Sequence, residues 1–237
     1  MRTFITAVFG LTLLLPPVAQ GSCAILLHGL GRSDGSMESL ERALEKADFQ
    51  VVNVDYPSTV YPIETLAGQA IAPALDRCGP GTPVHFVTHS MGGILVRHYL
   101  SRVPVPNLGR VVMLGPPNKG SEVVDALGEV PGFHAILGDA GLQLGTSAES
   151  VPNQLGAANF EVGIIAGTRS INPVLSQIIP ATDDGKVSVA STRLDGMSDH
   201  LQMPVTHVFM MQNDEVIKQV IYFLQHGRFY RPGPPSS

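Results

Sequence analysis

Apolar residues in this chain fall into two alternating kinds of run. Short, nearly uninterrupted stretches read as strands covered on both faces: Cys23-Ala24-Ile25-Leu26-Leu27, Val51-Val52-Asn53-Val54, Val84-His85-Phe86-Val87, Val111-Val112-Met113-Leu114 and Val162-Gly163-Ile164-Ile165. Between them apolar positions recur at helical spacing. Met37, Leu40, Leu44 and Ala47 form one stripe. Ile63, Leu66, Ala67, Ala70, Ile71, Ala74 and Leu75 form a second, and Ile94, Leu95, His98, Tyr99 and Leu100 a third. A last stripe through Val216, Val220, Phe223 and Leu224 has Asn213 and Asp214 ahead of it and Gly227 behind, which predicts a capped final helix. Alternation of strand and helix along the whole chain predicts an α/β fold: one domain, with a mostly parallel sheet and helices on both faces.

Three segments break the pattern. Arg2, the apolar run from Phe4 to Leu15, Pro16-Pro17 and the small-residue pattern Ala19-Gln20-Gly21 read as a signal peptide over residues 1–21, too short to span a bilayer well. Gln20 argues against a lipoprotein signal at Cys23. Residues 118–160 exceed an ordinary crossover and are Gly-rich and apolar, with Leu127, Val130, Phe133, Ile136, Leu137, Leu142 and Leu144. They read either as a lid-like insertion over a site or as a packing excursion. Residues 231–237 are a Pro/Ser/Gly tail expected to be disordered, leaving residues 22–230 as the domain. The chain has 237 residues, 44% of them hydrophobic, enough for one full α/β core. A net charge of -5 with no basic run argues against nucleic acid or an anionic membrane as partner. No metal-ligand spacing such as H-E-x-x-H or paired C-x-x-C occurs, and no cofactor is implied.

The chemistry concentrates where strands end. Thr88-His89-Ser90-Met91-Gly92-Gly93 follows an apolar strand and opens a helix, so the chain must turn within a residue or two and lift the Ser90 oxygen clear of the sheet. Gly92 and Gly93 let that helix pass close to a neighbouring strand. Thr88 stands where G-x-S-x-G has its first glycine. Upstream, His28-Gly29-Leu30-Gly31 ends the first strand in a loop with backbone N–H groups to spare. Gly29-x-Gly31 with Gly35, and Asp55 after the next strand, imitates a dinucleotide fingerprint. The third glycine is one residue late, however, and a dinucleotide site leaves the Ser90 turn without a purpose.

These motifs resemble the α/β-hydrolase lipases and esterases, in particular the small bacterial lipases without a large cap domain. The resemblance also rests on Leu114-Gly115-Pro116-Pro117-Asn118-Lys119-Gly120-Ser121, Asp184-Gly185-Lys186-Val187, Arg193-Leu194-Asp195-Gly196 and His207, in family order from about residue 23 to 227. It implies a Ser-acid-His order: Ser90 as nucleophile, Asp184 on the acid loop and His207 on the loop before the last helix, with Leu30 and Met91 giving the two oxyanion N–H donors. Asp183 and Asp195 compete for the acid role. His200 competes for the base, with Asp199-His200 read instead as a surface pair, while His89 should point away from Ser90 by strand alternation. The resemblance further implies neighbouring parallel strands after Cys23 and Cys78, hence a disulfide at the sheet edge opposite the site in an oxidising compartment. It also admits a calcium ion near Asp195 or Asp199. The expected function is a secreted or periplasmic serine hydrolase of carboxylic esters acting on a small-molecule or lipid ester. The alternatives are an acyltransferase using the same triad and a non-catalytic binding domain of the same fold.

Overall fold

The five apolar runs become strands and a mostly polar sixth joins them in the computed structural model, which describes residues 21–233 apart from 129, 131 and 180, and excludes the side chains of residues 133 and 134. They are β1 (Cys23–Leu27), β2 (Gln50–Val54), β3 (Val84–His89), β4 (Leu108–Leu114), β5 (Val162–Gly167) and β6 (Asp199–Met203). All neighbours pair parallel in the order β2-β1-β3-β4-β5-β6. Parallel pairing forces each connection to cross over a face of the sheet, and α1 (Glu38–Lys46), α2 (Ile63–Cys78) and α3 (Met91–Leu100) do so, while α9 (Asp214–His226) follows the last strand and packs on a face of the sheet. Successive β1 residues serve opposite faces. Ile25 and Leu27 join the core under α2 and α3, while Ala24 and Leu26 join the core under α1 and α9. The final helix starts as its sequence predicts, with Asn213 Oδ1 accepting from the N–H groups of Glu215 and Val216 and Gly227 ending it in a left-handed conformation.

Cys23 opens β1 and Cys78 closes α2, and the two form a disulfide with Cα atoms 5.6 Å apart. It lies at the end of the sheet remote from Ser90. Closing a loop of sequence separation 55 constrains the unfolded chain by about 4 kcal/mol in the chain-entropy account.

Residues 118–160 hold three short helices, α4 (Glu122–Gly128), α5 (Phe133–Leu142) and α6 (Val151–Gln154). A buried arginine ties them to the body. The Arg97 guanidinium, on α3, donates to the Asn118 carbonyl and Oδ1, both at 3.1 Å, and to the carbonyls of Pro152 and Gly156 at 3.0 and 2.8 Å. Burial pushes its pKa down to about 10, which leaves it a cation at neutral pH.

Two further short helices, α7 (Pro173–Ile178) and α8 (Val189–Thr192), lie between β5 and β6. Asp199 and His200 are not a simple surface pair. They open the edge strand β6, with Arg231 donating to both Asp199 carboxylate oxygens at 2.8 Å and His200 Nε2 lying 2.9 Å from Thr192 Oγ1. Arg231, the first residue of the expected disordered tail, is anchored, and the Asp199 carboxylate offered to calcium is taken by Arg231 and by the Phe229 N–H. Among the described residues no group of three or more His, Cys, Asp or Glu side chains is arranged to hold a metal. Residues 1–20 of the expected signal peptide (1–21) and residues 234–237 of the expected tail lie outside the described residues.

Candidate active site

The carboxyl ends of β1, β3, β4 and β5 meet at one edge, where an α/β sheet offers its crevice. At the end of β3 the chain turns through Ser90 at φ 53°, ψ -123°, a conformation that costs a non-glycine residue of order 1–3 kcal/mol. The turn is held from both sides. Ser90 N–H donates to Leu114 O at 2.8 Å, and Gly93 N–H donates to Ser90 O at 3.0 Å. Only a residue without a side chain fits at position 92, because a Cβ there would lie 2.6 Å from Leu27 O and 2.9 Å from His28 O. Thr88, in place of the first glycine, is accommodated in the buried strand with its Oγ1 3.5 Å from Val112 O.

Ser90 Oγ–H donates to His207 Nε2 at 3.0 Å, and His207 Nδ1–H donates to Asp184 Oδ2 at 2.7 Å. The carboxylate can only accept, so it selects the tautomer that leaves Nε2 free to take the serine proton. Asp184 is fixed in turn, with Oδ1 accepting from Lys186 N–H and Val187 N–H at 3.0 and 2.9 Å, and its carbonyl accepting from His207 N–H at 2.9 Å. Gly115, at φ 54°, carries the chain close beneath this pair. A Cβ at that position would come within 3.0 Å of Asp184 Oδ2 and 3.1 Å of His207 Nδ1. Asp183 does different work: its Oδ1 accepts from Ser176 Oγ and Gly185 N–H and shapes the loop. Asp195 is exposed, and its carbonyl receives the Ala158 N–H.

His89 departs from its expected orientation. Its ring packs 4.8 Å from that of His207, and its Nε2–H donates to the His207 carbonyl at 2.9 Å. Alternation decides only which face of the sheet a side chain leaves, and the His207 loop folds over the face that His89 occupies. Burial, the adjacent His207 and the charges of Arg32 and Lys186 hold His89 neutral, well below the ordinary imidazole range.

Leu30 and Met91 flank Ser90 at the ends of β1 and β3, and among the described residues neither backbone N–H has an intramolecular acceptor. The loop carrying Leu30 is tied by residues that periodicity does not flag. Tyr56 O–H donates to His28 O at 2.5 Å, and Gly31 N–H donates to Ser58 Oγ at 2.9 Å. The His28 ring stacks on Tyr56 at 4.0 Å, and burial lowers its pKa. Tyr56 and Ser58 follow β2 at the same sheet edge, and that position is the one sequence signal that could have found them.

Ser90 opens into a cavity of about 450 Å³. Its walls are aliphatic, from Leu30, Val124, Leu127, Ile136, Leu137 and Leu144 among others, so residues 118–160 contribute most of one side. Of the other apolar residues of that segment, Val130 is exposed and the side chain of Phe133 lies outside the described set.

Residues 24–219 match the alpha/beta hydrolase family, and the chain belongs to that family. Solved structures of lipases and esterases share the fold. The mature form of the Bacillus licheniformis lipase BlEst2 is 18% identical, with 91% of this chain and 96% of that one covered at a TM-score of 0.70. Phospholipase PlaB from Legionella pneumophila is 17% identical over 88% of this chain and 60% of that one, at a TM-score of 0.63. An esterase from Pyrococcus furiosus is 17% identical over 88% and 83%, at 0.61. At such identities the likeness is one of fold. No curated protein matches the chain.

Proposed function

We propose that the protein is a serine hydrolase that cleaves carboxylic esters through an acyl-serine intermediate. The observation that carries this reading is the hydrogen-bonded series Ser90, His207, Asp184 at the mouth of an apolar cavity. Neutral His207 takes the Ser90 proton as Oγ attacks the ester carbonyl, and Asp184 stabilises the imidazolium that forms. The carbonyl oxygen gathers charge facing the N–H groups of Leu30 and Met91, each such donor being worth roughly 3 kcal/mol in the transition state. Collapse of the intermediate breaks the bond to the alcohol, which leaves with the proton from His207. Water then repeats the sequence on the acyl-serine, giving the acid and restoring Ser90.

Residues 118–160 act as the acyl-binding wall, which the aliphatic lining they contribute supports. Secretion after cleavage of residues 1–21 fits the disulfide. Among the described residues no helix is long and apolar enough to cross a membrane. Hydrolysis of a short-chain nitrophenyl ester by alanine variants tests the reading. Ser90→Ala, His207→Ala and Asp184→Ala should each lower kcat by about 10⁴-fold or more. A comparable loss in His200→Ala, or a greater one in Asp183→Ala than in Asp184→Ala, would reassign the base or the acid.

A further inference from the structure

The cavity beside Ser90 is not uniformly apolar. Arg32 and Lys186 stand on its lining, both reach solvent, and among the described residues no Asp or Glu lines the cavity with them. Arg32 lies two residues beyond Leu30 on the loop after β1, and Lys186 two residues beyond Asp184. The strands that carry the site thus bring a cation to it from each side. Neither side chain is in an ion pair among the described residues. The carboxylates closest to them in sequence are engaged elsewhere: Asp184 receives His207 and two backbone N–H groups, and Asp34 Oδ1 receives the Gly35 N–H. The two cations also sense each other. Partial desolvation against the pocket, then the charge of Arg32, lower Lys186 from its ordinary value, while Asp184 opposes them. In a chain of net charge -5, two like charges left unpaired at the one cavity that holds the nucleophile constitute a local site for an anion.

We propose, building on the ester-hydrolase reading, that the preferred substrates are esters whose alcohol carries a phosphate, with the acyl chain on the aliphatic wall and the phosphate between Arg32 and Lys186. The alcohol side follows from the chemistry. His207 must hand its proton to the departing oxygen, so the alcohol lies against the His207–Asp184 side, where Lys186 stands. A guanidinium and an ammonium match phosphate oxygens through fork-like and point contacts respectively. The reaction breaks only the acyl C–O bond. Water supplies OH to the acid and H to the phosphate-bearing alcohol, and every P–O bond survives.

The test compares kcat/KM for three soluble substrates: dihexanoylglycerol phosphate, neutral dihexanoylglycerol, and an ester of hexanol carrying a carboxylate at the far end of its acyl chain. The first should exceed the second, and the third should not. Raising ionic strength from about 0.05 to 0.5 M should shrink the phosphate-to-neutral ratio in the wild type. Arg32→Gln with Lys186→Gln should lower that ratio roughly tenfold, the charge-reversed Glu pair should lower it further, and Arg32→Lys with Lys186→Arg should restore most of it. A long-chain glycerol phosphate ester presented in neutral mixed micelles distinguishes a lipid headgroup from a soluble phosphate ester as the source. A ratio unmoved by salt and by the Gln and Glu pairs, with hydrolysis intact, overturns the proposal and leaves Lys186 as a support for Asp184 alone. A preference for the acyl-end carboxylate overturns the placement. Absence of any Ser90-dependent hydrolysis overturns the ester-hydrolase reading, and this proposal falls with it.

Discussion

Substituting Gly92 by alanine probes the contact between helix and strand on which the Ser90 turn depends. The new Cβ would sit 2.6 Å from Leu27 O and 2.9 Å from His28 O, against an ordinary contact of at least 3.4 Å, so the closer approach is 0.8 Å too short. Both oxygens belong to the backbone, so no rotamer relieves the clash. Either α3 lifts from the end of β1 or the Leu30 loop shifts. Overpacking of this kind costs about 1–3 kcal/mol, partly offset by roughly 1 kcal/mol of helix propensity gained by alanine over glycine. The net loss of up to about 2 kcal/mol should lower Tm by up to several degrees in a domain of this size. Activity should fall further than stability, because the displacement separates the N–H groups of Met91 and Leu30, and a misplacement near 1 Å can cost about 10²-fold in rate. Gly68→Ala in α2 is the matched control. Nothing lies within 4 Å of its Cβ position, so the same substitution should stabilise by up to about 1 kcal/mol and leave kcat alone. Steady-state kinetics on a short-chain ester and thermal melts of both variants give the answer. A Gly92→Ala protein with wild-type Tm, and kcat within a factor of about three of wild type, would refute the argument that this approach sets the site.

Acid should destabilise the fold in a defined window. His85 Nδ1 accepts the Arg110 N–H at 2.8 Å and cannot be protonated without losing that bond, and burial followed by the Arg110 charge pushes its pKa down to about 4. His200 is likewise lowered to about 4, by burial and then Arg193. The unfolded chain therefore binds more protons than the native one between pH 6.5 and about 4. Stability should hold above that window and fall through it, with His85 alone accounting for a loss on the order of 3 kcal/mol. Urea unfolding at pH 7.5 and 4.5 measures this, and a flat profile would contradict it. Leu137, buried on the cavity wall, should govern acyl length. Each methylene seated there contributes up to about 0.8 kcal/mol, so kcat/KM should climb from acetate to octanoate in the wild type and more shallowly in Leu137→Ala. Equal losses on both esters would mean that the segment supports the sheet edge instead of the acyl chain.

The parts of the fold legible in the sequence were those with one dominant physical cause. Strands β1, β3, β4 and β5 announced themselves because burial on both faces demands continuous apolar runs. Helix α9 was bounded by Asn213 and Gly227, whose roles are local. Strand β6 escaped, since an edge strand needs only part of its length apolar and Asp199-His200-Leu201-Gln202-Met203 reads as mostly polar. The short helices α7 and α8 span six and four residues, too few for a period to register. At the site, Ser90, Asp184 and His207, which hydrogen-bond in series, each lie in a short motif that the sequence displays. The contacts of His89, Tyr56 and Ser58 depend on loops meeting across the sheet edge, which no local pattern encodes.

A fluorophosphonate probe tests most directly whether Ser90 is an activated nucleophile. Treated protein, digested and read by mass spectrometry, should carry a single phosphonyl adduct on the peptide containing Ser90. The adduct should be lost in Ser90→Ala and formed far more slowly in His207→Ala, because the serine oxygen attacks phosphorus only when a base removes its proton. An adduct on another residue, labelling that survives Ser90→Ala, or an undiminished rate in His207→Ala would contradict the account.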